Sequence, residues 1–363
     1  MADKEIRVAE LTIPNAENYG SVLQAYAMKE FLKEENLKID IINYQPEYLK
    51  HRYSIIKIDN SSIRSIVKSL ISSIINFKYR MKKKIKFHAF RKKWLELLKC
   101  KNNYEEKLST YNMVFVGGDQ LWNTRITKNN KVFFLDKINI NKKIAFSVSM
   151  GYSDRNSIEN NFYKKYVNNF DYIYVRELYD VDYIKSIVDD EKKVGYVLDP
   201  TLLVEKSVWD RLLPSRIIKE PYILVYMFNN DLEVIKSAKK VQSKLSLPIY
   251  IIQDSFRKYD KNGFENVKGV GPLEFLSLFK NAEYVITNSF HGTAFSIIFE
   301  KNFNCIPYKG TEGRMVSLLN LLNISEALDG VYNKLDYQKV NLIIEQEKSK
   351  ARKIVESIVE DNK

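Results

Sequence analysis

Glu283–Phe299 reads EYVITNSFHGTAFSIIF, and this stretch decides the fold class. Its first part, Tyr284–Thr287, is apolar and β-branched, which is typical of a strand buried in a sheet. Its last part predicts a helix that begins near Thr293. His291 lies in the polar turn between them, and open α/β sheets bind ligands at such strand-to-helix turns. The stretch alone leaves two interpretations of His291 open, a helix cap and an anion or catalytic site.

The same strand-and-helix pattern extends on both sides of this stretch. Apolar strands alternate with helices from Ile6 to Leu198, and the alternation restarts at Tyr222 and continues to Leu322. Because such alternation forms parallel sheets with helices on both faces, we expect an α/β protein. It should have two Rossmann-like domains with mainly parallel sheets that face each other across a cleft. We divide the chain into a first domain at 1–213 with a basic helical insertion at 61–101, a second domain at 214–330 and a C-terminal helix in 331–363.

Composition limits the classes of function. The chain has 363 residues and a net charge of +13, so an anionic partner is expected: nucleic acid, an anionic membrane surface or a phosphorylated small substrate. The sequence contains no run of about 18 apolar residues, so no transmembrane helix is expected. The N-terminus lacks the apolar region of a signal peptide. Cys100 and Cys305 match neither a disulfide nor a metal pattern. These features predict a cytoplasmic protein without a metal site.

The first strand-to-helix connection is a second candidate site. A strand at Ile6–Ile13 is followed by the polar loop PNAENYG and by a helix for which Ser21 is the expected N-cap. The loop lacks the GxGxxG pattern, so no dinucleotide is indicated. Binding a ligand and making a turn are equally good interpretations of the loop at this point.

Three further loops carry polar groups at predicted strand ends. Gly118 and Asp119 follow a strand in VFVGGDQLWN, where glycine lets the backbone approach a ligand; the alternative is a tight turn anchored by Trp122. Arg176 ends another strand and could hold a carboxylate or phosphate, or pair with a nearby acid. Arg314 follows the strand after the His291 turn, so both side chains could meet one anion at the same sheet edge.

The insertion at 61–101 combines an apolar stripe with a basic run. Its alternatives are a helical hairpin packed on the core, a helix on a membrane surface and a nucleic-acid arm. The stripe, which should form one face at helical spacing, consists of Ile63, Ile66, Val67, Leu70, Ile71, Ile74 and Ile75.

Taken in order, these motifs resemble the polysaccharide pyruvyl transferase family. The resemblance extends from about Ile6 to Leu322 and rests on NYG with SVLQAYA, VGGDQLWN, SVSMG, VRE, LDPTLL, TNSFHGTAFSIIF and GRMVSLLNLL. The chain departs from the family pattern at Asn288, where Asp is usual, and at Gly313, where Ser is common.

The resemblance implies a two-domain enzyme of glycosyltransferase-B architecture. Such an enzyme moves a pyruvyl group from phosphoenolpyruvate to a sugar of a cell-surface or exopolysaccharide precursor, as a cyclic ketal. It needs no cofactor beyond phosphoenolpyruvate as co-substrate. By motif, the catalytic residues would be His291 and Asp119. The donor would be bound by the second domain with Arg176: Ser289, His291, Gly292, Thr293, Arg314 and Arg176. The acceptor would be bound by the first domain: Asn18, Tyr19, Gly20, Gly118, Asp119 and Gln120.

Two other functions fit the same sequence. One is a nucleotide-sugar-dependent glycosyltransferase on the same scaffold, and the other is a non-catalytic protein that binds anions or nucleic acid. For the main interpretation, the basic segment 61–101 would bring a cytoplasmic enzyme to the inner face of the membrane, where lipid-linked oligosaccharide acceptors lie. No nucleic-acid partner is expected, because no recognition motif accompanies the charge.

Overall fold

A computed structural model describes most of the chain. It describes residues 6–48, 63–100, 103–152, 155–189, 193–229, 231–253, 263–308, 312–328 and 330–361, with the side chains of 63–70, 72 and 99 outside the description. His51, which the sequence places on the surface, and the loop 309–311 before Arg314 lie outside the described residues.

The first half of the chain forms a seven-stranded sheet in which all strand pairs are parallel. Its order is β3-β2-β1-β4-β5-β6-β7. The strands are β1 Val8–Leu11, β2 Ile39–Asn43, β3 Leu98–Lys99, β4 Met113–Gly118, β5 Lys142–Val148, β6 Tyr172–Val175 and β7 Val194–Tyr196. Strands β1 and β4 are buried along their whole length, as apolar central strands of a parallel sheet should be.

The second half forms a five-stranded parallel sheet in the order β10-β9-β8-β11-β12. The strands are β8 Ile223–Tyr226, β9 Ile249–Ile252, β10 Phe264–Val267, β11 Tyr284–Thr287 and β12 Asn302–Cys305. Strand β11 has the bounds that the sequence predicts. Strand β10 was missed, because its sequence FENV alternates polar and apolar residues too briefly to indicate a strand.

Helices cover both sheets. Those of the first half are α1 Tyr19–Glu34, α2 Ile63–Phe90, α3 Tyr104–Leu108, α4 Thr124–Thr127, α5 Ser157–Tyr166, α6 Asp180–Lys185, α7 Pro200–Leu203 and α8 Lys206–Asp210. Those that follow are α9 Leu232–Leu245, α10 Pro272–Asn281, α11 Phe290–Ile298, α12 Glu312–Leu321 and α13 Tyr337–Glu360.

Both sheets therefore have the doubly wound order in which the first strand lies between the second and the fourth. Each sheet has a switch point beside its first strand, between β1 and β4 and between β8 and β11. Ligands bind at the carboxyl ends of the strands at such a point. The prediction of two Rossmann-like domains with parallel sheets is confirmed.

Two helix boundaries differ from the predictions. Helix α1 begins at Tyr19 because Asn18 caps it by accepting a hydrogen bond from the Gly20 amide at 2.9 Å, so the prediction of Ser21 as the cap was wrong. Helix α11 begins at Phe290, not near Thr293, and the whole turn around His291 is its first turn.

The basic insertion forms one continuous helix and not a hairpin. Helix α2 runs for 28 residues, and a π-helical turn at Arg91–Leu95 follows it directly. Among the described residues, no helix is both long and apolar enough to cross a bilayer.

Apolar packing joins the two halves. The Tyr19 ring of α1 stacks on Phe275 of α10 with centroids 4.4 Å apart, and its hydroxyl donates to the Val270 carbonyl at 3.0 Å. Helix α13 returns to the first half, where Lys348 forms an ion pair with Glu205 at 3.2 Å. Side chains of α1, α10 and α13 thus hold the two halves together.

Candidate active site

The turn after β11 starts helix α11 with a side-chain cap. Ser289 accepts a hydrogen bond from the Gly292 amide at 3.3 Å, and the Ser289 amide donates to the Thr287 hydroxyl at 3.1 Å. The buried Thr293 hydroxyl donates to the Ser289 carbonyl at 3.1 Å and lies 3.3 Å from the Cys305 sulfur. Ser289, Gly292 and Thr293 therefore build the helix start that orients His291.

His291 reaches across to the first half of the chain. Its ring packs directly on Gly20 at the start of α1, where a Cβ would lie 2.1 Å from the His291 Nδ1 atom. Glycine is needed at position 20 because any side chain would occupy the place of the imidazole. The start of α1 and the start of α11 consequently meet at one point. The N-terminal end of each helix carries partial positive charge, and both face the site.

Asp119 lies opposite His291 at the end of β4. One carboxylate oxygen is 3.3 Å from a terminal nitrogen of Arg314 and 3.2 Å from one of Arg176, and the other is 3.9 Å from the His291 Nδ1 atom. Gly118, just before it, has a φ of +141° and leaves no room for a Cβ beside the Thr12 hydroxyl. The structure thus brings together the four residues that carried the predicted chemistry.

The hydrogen bonds of Arg176 all go to its own half of the chain. Its guanidinium donates to Glu177 at 2.8 Å, to Asp199 at 2.9 Å and to the Ser149 hydroxyl at 3.0 Å, in addition to Asp119. Its charge lies 3.9 Å above the centre of the Phe290 ring, a cation–π contact. Of the two interpretations of Arg176, the structure shows the pairing with nearby acids.

Arg314, in the first turn of α12, is buried with far fewer partners. Its side chain is 8% exposed, one terminal nitrogen contacts Asp119, and its Nε has no hydrogen-bond partner among the described residues. The buried Nε2 of His291 likewise has no partner within hydrogen-bond geometry, although Asp199 lies 3.5 Å away. Buried donors without a partner are rare in folded proteins, so this arginine indicates a place where a ligand could supply the acceptor.

The carboxylates of this cluster are held in the ionised form. Burial alone would raise the pKa of Asp119, but His291, Arg176 and Arg314 hold it below its usual value. Burial has the same sign for Asp199, and His291 with Arg176 holds the pKa of Asp199 well below its usual range. In the structure Asp119 is therefore an anion that neutralises the cations and has little tendency to accept a proton.

The predicted acceptor residues divide into two groups. Gly20 and Gly118 lie at the cleft, and Asn18 is adjacent as the cap of α1. Tyr19 is turned into the apolar contact between the halves, and the Gln120 side chain accepts a hydrogen bond from Asn123 at 2.8 Å.

Sequence reasoning missed the two carboxylates that hold Arg176. Asp199 caps α7 in the motif LDPTLL, and Glu177 directly follows Arg176. Both stand at strand ends on the same sheet edge as the predicted residues. That position was the signal that could have found them.

Asn288 and Gly313 have structural explanations. The Asn288 side chain accepts from the Phe228 amide at 2.7 Å and donates to the Phe228 carbonyl at 3.0 Å and to Asp231 at 3.1 Å, so it clamps the loop after β8. A carboxylate could not make the last two bonds. At Gly313, a Cβ would lie 3.1 Å from the Tyr179 ring, which leaves little space for serine.

Two cavities differ in their relation to this cluster. A small one, about 10 Å³, lies beside it and is lined by Arg176, Asp199, Phe290 and Arg314 among others. A larger one, about 570 Å³, lies at the far end of α1 near Trp94. The larger cavity contains none of the predicted site residues, so the chemistry is assigned to the strand-end cluster. No group of three or more His, Cys, Asp or Glu in the described part of the chain could hold a metal ion.

Comparison with protein families assigns this arrangement. The family model described as polysaccharide pyruvyl transferase matches residues 18–310, which include every residue of the cluster except Arg314. The chain belongs to the polysaccharide pyruvyl transferase family. Membership places it among transferases that modify polysaccharides, with a sugar as acceptor. No curated protein sequence matches the chain.

Two solved structures, each with a bound sugar nucleotide, resemble the chain over nearly its whole length at low sequence identity. The UDP-GlcNAc 2-epimerase of Neisseria meningitidis bound to UDP-GlcNAc is 14% identical, with 98% of this chain and 100% of that chain covered and a TM-score of 0.47. The Arabidopsis thaliana protein UGT89C1 complexed with UDP-L-rhamnose is 13% identical, with 99% and 95% covered and a TM-score of 0.46. Because these TM-scores are below 0.5, the fold assignment rests on the two sheets of the chain itself.

Proposed function

We propose that the protein transfers the pyruvyl group of phosphoenolpyruvate to a sugar of a cell-surface or exopolysaccharide precursor, forming a cyclic ketal and releasing phosphate. One observation carries this proposal: His291 and Arg314 of the second half and Asp119 of the first meet in a buried cleft. The Nε2 of His291 and the Nε of Arg314 have no hydrogen-bond partner among the described residues. Family membership supports a transferase with a sugar acceptor.

Charge balance determines how an anionic donor would enter. Two arginines already face three carboxylates, those of Asp119, Asp199 and Glu177. Phosphoenolpyruvate carries a phosphate and a carboxylate, so simple addition would place excess negative charge in a buried site. In our proposal the donor displaces Asp119 from Arg314 and occupies the unused Nε of that arginine. The helix starts at Gly20 and His291 add backbone N–H groups and partial positive charge.

The reaction needs one acid and one base in this cleft. Protonation of the methylene carbon makes C2 of the donor electrophilic, and a sugar hydroxyl adds there as it gives up its proton. The bond between C2 and the phosphate oxygen then breaks, a second hydroxyl attacks C2, and its proton leaves with the phosphate. The net products are a cyclic pyruvyl ketal and inorganic phosphate, and the proton taken up by the base returns to the acid, which restores both groups.

His291 and Asp119 are assigned these two roles. Imidazole can hold and deliver a proton near neutral pH, which suits the protonation of carbon. Asp119 would accept the hydroxyl proton, but only after the donor has taken over Arg314, because that separation removes one of the cations that depress its pKa. Arg314 would stabilise the charge on the departing phosphate.

The direct test measures phosphate release from phosphoenolpyruvate with a panel of sugar acceptors. His291→Asn should lower the rate by roughly 100- to 10,000-fold, the usual contribution of a general acid. His88→Asn is the matched control, because His88 is exposed on α2 away from the cleft. Equal rates for the two variants, or no phosphate release by the wild type with any acceptor, would rule out the proposed chemistry.

Ligand binding separates this function from sugar-nucleotide transfer. Phosphoenolpyruvate should raise the melting temperature of the wild type and not that of Arg314→Gln. Arg211→Gln, which alters an exposed arginine paired with Glu30, should respond as the wild type does. Stabilisation by a nucleoside diphosphate in place of phosphoenolpyruvate would favour a glycosyltransferase instead.

A further inference from the structure

Over residues 71–77, helix α2 presents its polar and apolar residues in an inverted arrangement, whereas Phe87 and Phe90 near its end are buried in the usual way. Facing the protein, Ser73 is 4% exposed and Asn76 is 1% exposed. Facing outward, Ile74 is 75% exposed, and several other large apolar side chains of the helix are about half exposed or more, namely Ile71, Ile75, Phe77 and Ile85. An ordinary surface helix buries its apolar residues against the protein and exposes its polar residues to solvent. Its outer face therefore carries the composition of a contact surface.

The outward face of α2 is continuous. With 100° of rotation per residue, six positions fall within an arc of about 100°; they are 71, 74, 75, 78, 82 and 85. Four of them are isoleucines and two are lysines, along a helix that is roughly 42 Å long at 1.5 Å per residue. Phe77 and Lys84 extend this arc to about half of the helix circumference, and we call all eight residues the outer face of α2. All eight side chains are exposed.

The charge of this surface is of one sign. Between Asp59 and Glu96 the sequence contains no acidic residue. Two of the lysines are engaged inward, where Lys83 lies 4.7 Å above the Tyr19 ring and Lys86 pairs with Glu274. The side chains of Lys78, Lys82 and Lys84 are exposed, and the stem of Lys82 packs beside Gly269.

We propose that the outer face of α2 binds the surface of an anionic lipid bilayer. A bilayer offers apolar depth for the isoleucines and negative charge for the lysines, and both contributions are needed for stable binding of an interfacial helix. A second copy of the chain would bring like-charged faces together. Nucleic acid would leave the isoleucines and Phe77 in water.

The position of α2 connects this surface with the proposed reaction. The inner side of α2 contacts Tyr19, since the rings of Phe87 and Tyr19 lie 5.2 Å apart, and Tyr19 is next to Gly20, on which His291 packs. The lipid surface and the cleft would thus be separated by about one helix diameter, roughly 10–12 Å. Resting on the proposed function, this places the acceptor in the class of sugars carried on a lipid.

Vesicle binding of the full chain tests the surface. The wild type should sediment with vesicles that contain phosphatidylglycerol and much less with pure phosphatidylcholine. The variant Lys78→Gln, Lys82→Gln, Lys84→Gln should bind on the order of 100-fold more weakly, since each lysine near an anionic surface contributes about fivefold. Three exposed lysines elsewhere are the matched control and should change binding little: Lys240→Gln, Lys334→Gln and Lys353→Gln.

The apolar contribution is tested separately. Ile71→Ser, Ile74→Ser, Ile75→Ser should remove at least tenfold of the binding, including the part that persists in high salt, where charge is screened. Three exposed apolar residues on other elements give the control variant, Ile158→Ser, Leu232→Ser, Leu342→Ser. Binding by the outer-face variants equal to that of the wild type would overturn the proposal. The proposal would also be overturned if the wild type did not bind vesicles but self-associated in sedimentation velocity, and if the outer-face changes abolished that self-association.

Enzyme assays keep the two proposals distinguishable. With a sugar acceptor anchored in vesicles, the outer-face variants should lose rate in proportion to their lost binding, and with a soluble acceptor they should match the wild type. Vesicle binding by a wild type that releases no phosphate would contradict the proposed function and leave the membrane surface standing. Equal loss of rate with both acceptors would overturn the membrane role.

Discussion

Two arginines at the same depth in the cleft differ in how their charge is balanced. Arg176 and Arg314 are 5% and 7% exposed, so burial does not distinguish them. Arg176 donates to three carboxylates and one hydroxyl, all from its own half of the chain. Arg314 contacts one carboxylate, that of Asp119, which belongs to the other half.

This difference indicates which charges are structural and which serve a ligand. A cation that is compensated within one domain stays fixed when a ligand enters. A cation whose partner lies across a cleft can exchange that partner for a substrate anion. The first half therefore supplies a fixed frame around Arg176, and the second half supplies Arg314 and His291 as exchangeable groups.

Glutamine at each arginine should have the largest effect on this comparison. Arg176→Gln leaves Asp199 and Glu177 buried without their counter-ion and should destabilise the protein by about 3–5 kcal/mol. Arg314→Gln should cost roughly 1 kcal/mol or less. The change also removes the cost of burying a charge that has only one carboxylate partner, and Asp119 keeps its ion pair with Arg176. Chemical denaturation measures both values. If both variants lost equal stability, the comparison would be wrong.

Alanine at Gly20 should have the next largest effect, because it acts on the point where the two halves touch. Its Cβ would overlap the His291 ring, and overpacking of this kind costs about 1–3 kcal/mol. The double variant Gly20→Ala, His291→Ala should recover most of that stability, since the ring is gone. Ser21→Ala on the same helix is the control. An additive double variant would show that the contact is not tight.

Aspartate at Asn288 would place a carboxylate on the second half beside Asp231. The loss of two donated hydrogen bonds should cost about 1–3 kcal/mol at neutral pH. The loss should shrink in acid as one carboxylate takes up a proton, and Asp231→Asn should rescue the variant. Thermal denaturation at several pH values measures this. An Asn288→Asp protein as stable as the wild type would contradict the clamp.

Glu10 differs from the other buried carboxylates of the first half because no cation in the described part of the chain pairs with it. Its replacement should have the smallest effect on the free energy of unfolding at pH 5. It is fully buried on β1, its carboxylate has no hydrogen-bond partner among the described residues, and burial raises its pKa well above the usual value. The folded state then binds the proton more tightly than the unfolded state. Stability should fall as the pH rises from about 4.5 through the folded pKa, by at most about 1.4 kcal/mol per pH unit.

Glu10→Gln should abolish that slope and leave the protein more stable than the wild type at pH 8. Unfolding free energies of the two proteins between pH 5 and pH 8 provide the measurement. Parallel curves would show that Glu10 is compensated by a group that the geometry does not reveal.

Much of the fold was predictable because its signals are local. An apolar run gave β11 to the residue, polar motifs at strand ends gave His291 and Arg314 as one anion site, and the family resemblance added Asp119. Helix starts were less accurate. Several capping residues stand near each start, and only backbone geometry selects Asn18 over Ser21.

The partner of each charge was not predictable. Arg176 pairs with Asp199 and Asp119, which are 23 and 57 residues away in the chain, and only the adjacency of strands brings them together. From the sequence, binding an anion and pairing with an acid remained equal alternatives. The assignment of substrate roles in the cleft stays a prediction.

The sequence by itself determined that the chain forms two Rossmann-like halves with a polar cluster between them, because the period of apolar residues and the polar strand ends are written locally. Only the tertiary structure decided which face of α2 is covered. The stripe containing Ile71, Ile74 and Ile75 has helical spacing, and packing on the core was one of its alternatives, yet these side chains face outward while Asn76 is buried. A helical period shows that a face exists, but the direction of that face depends on what the helix packs against.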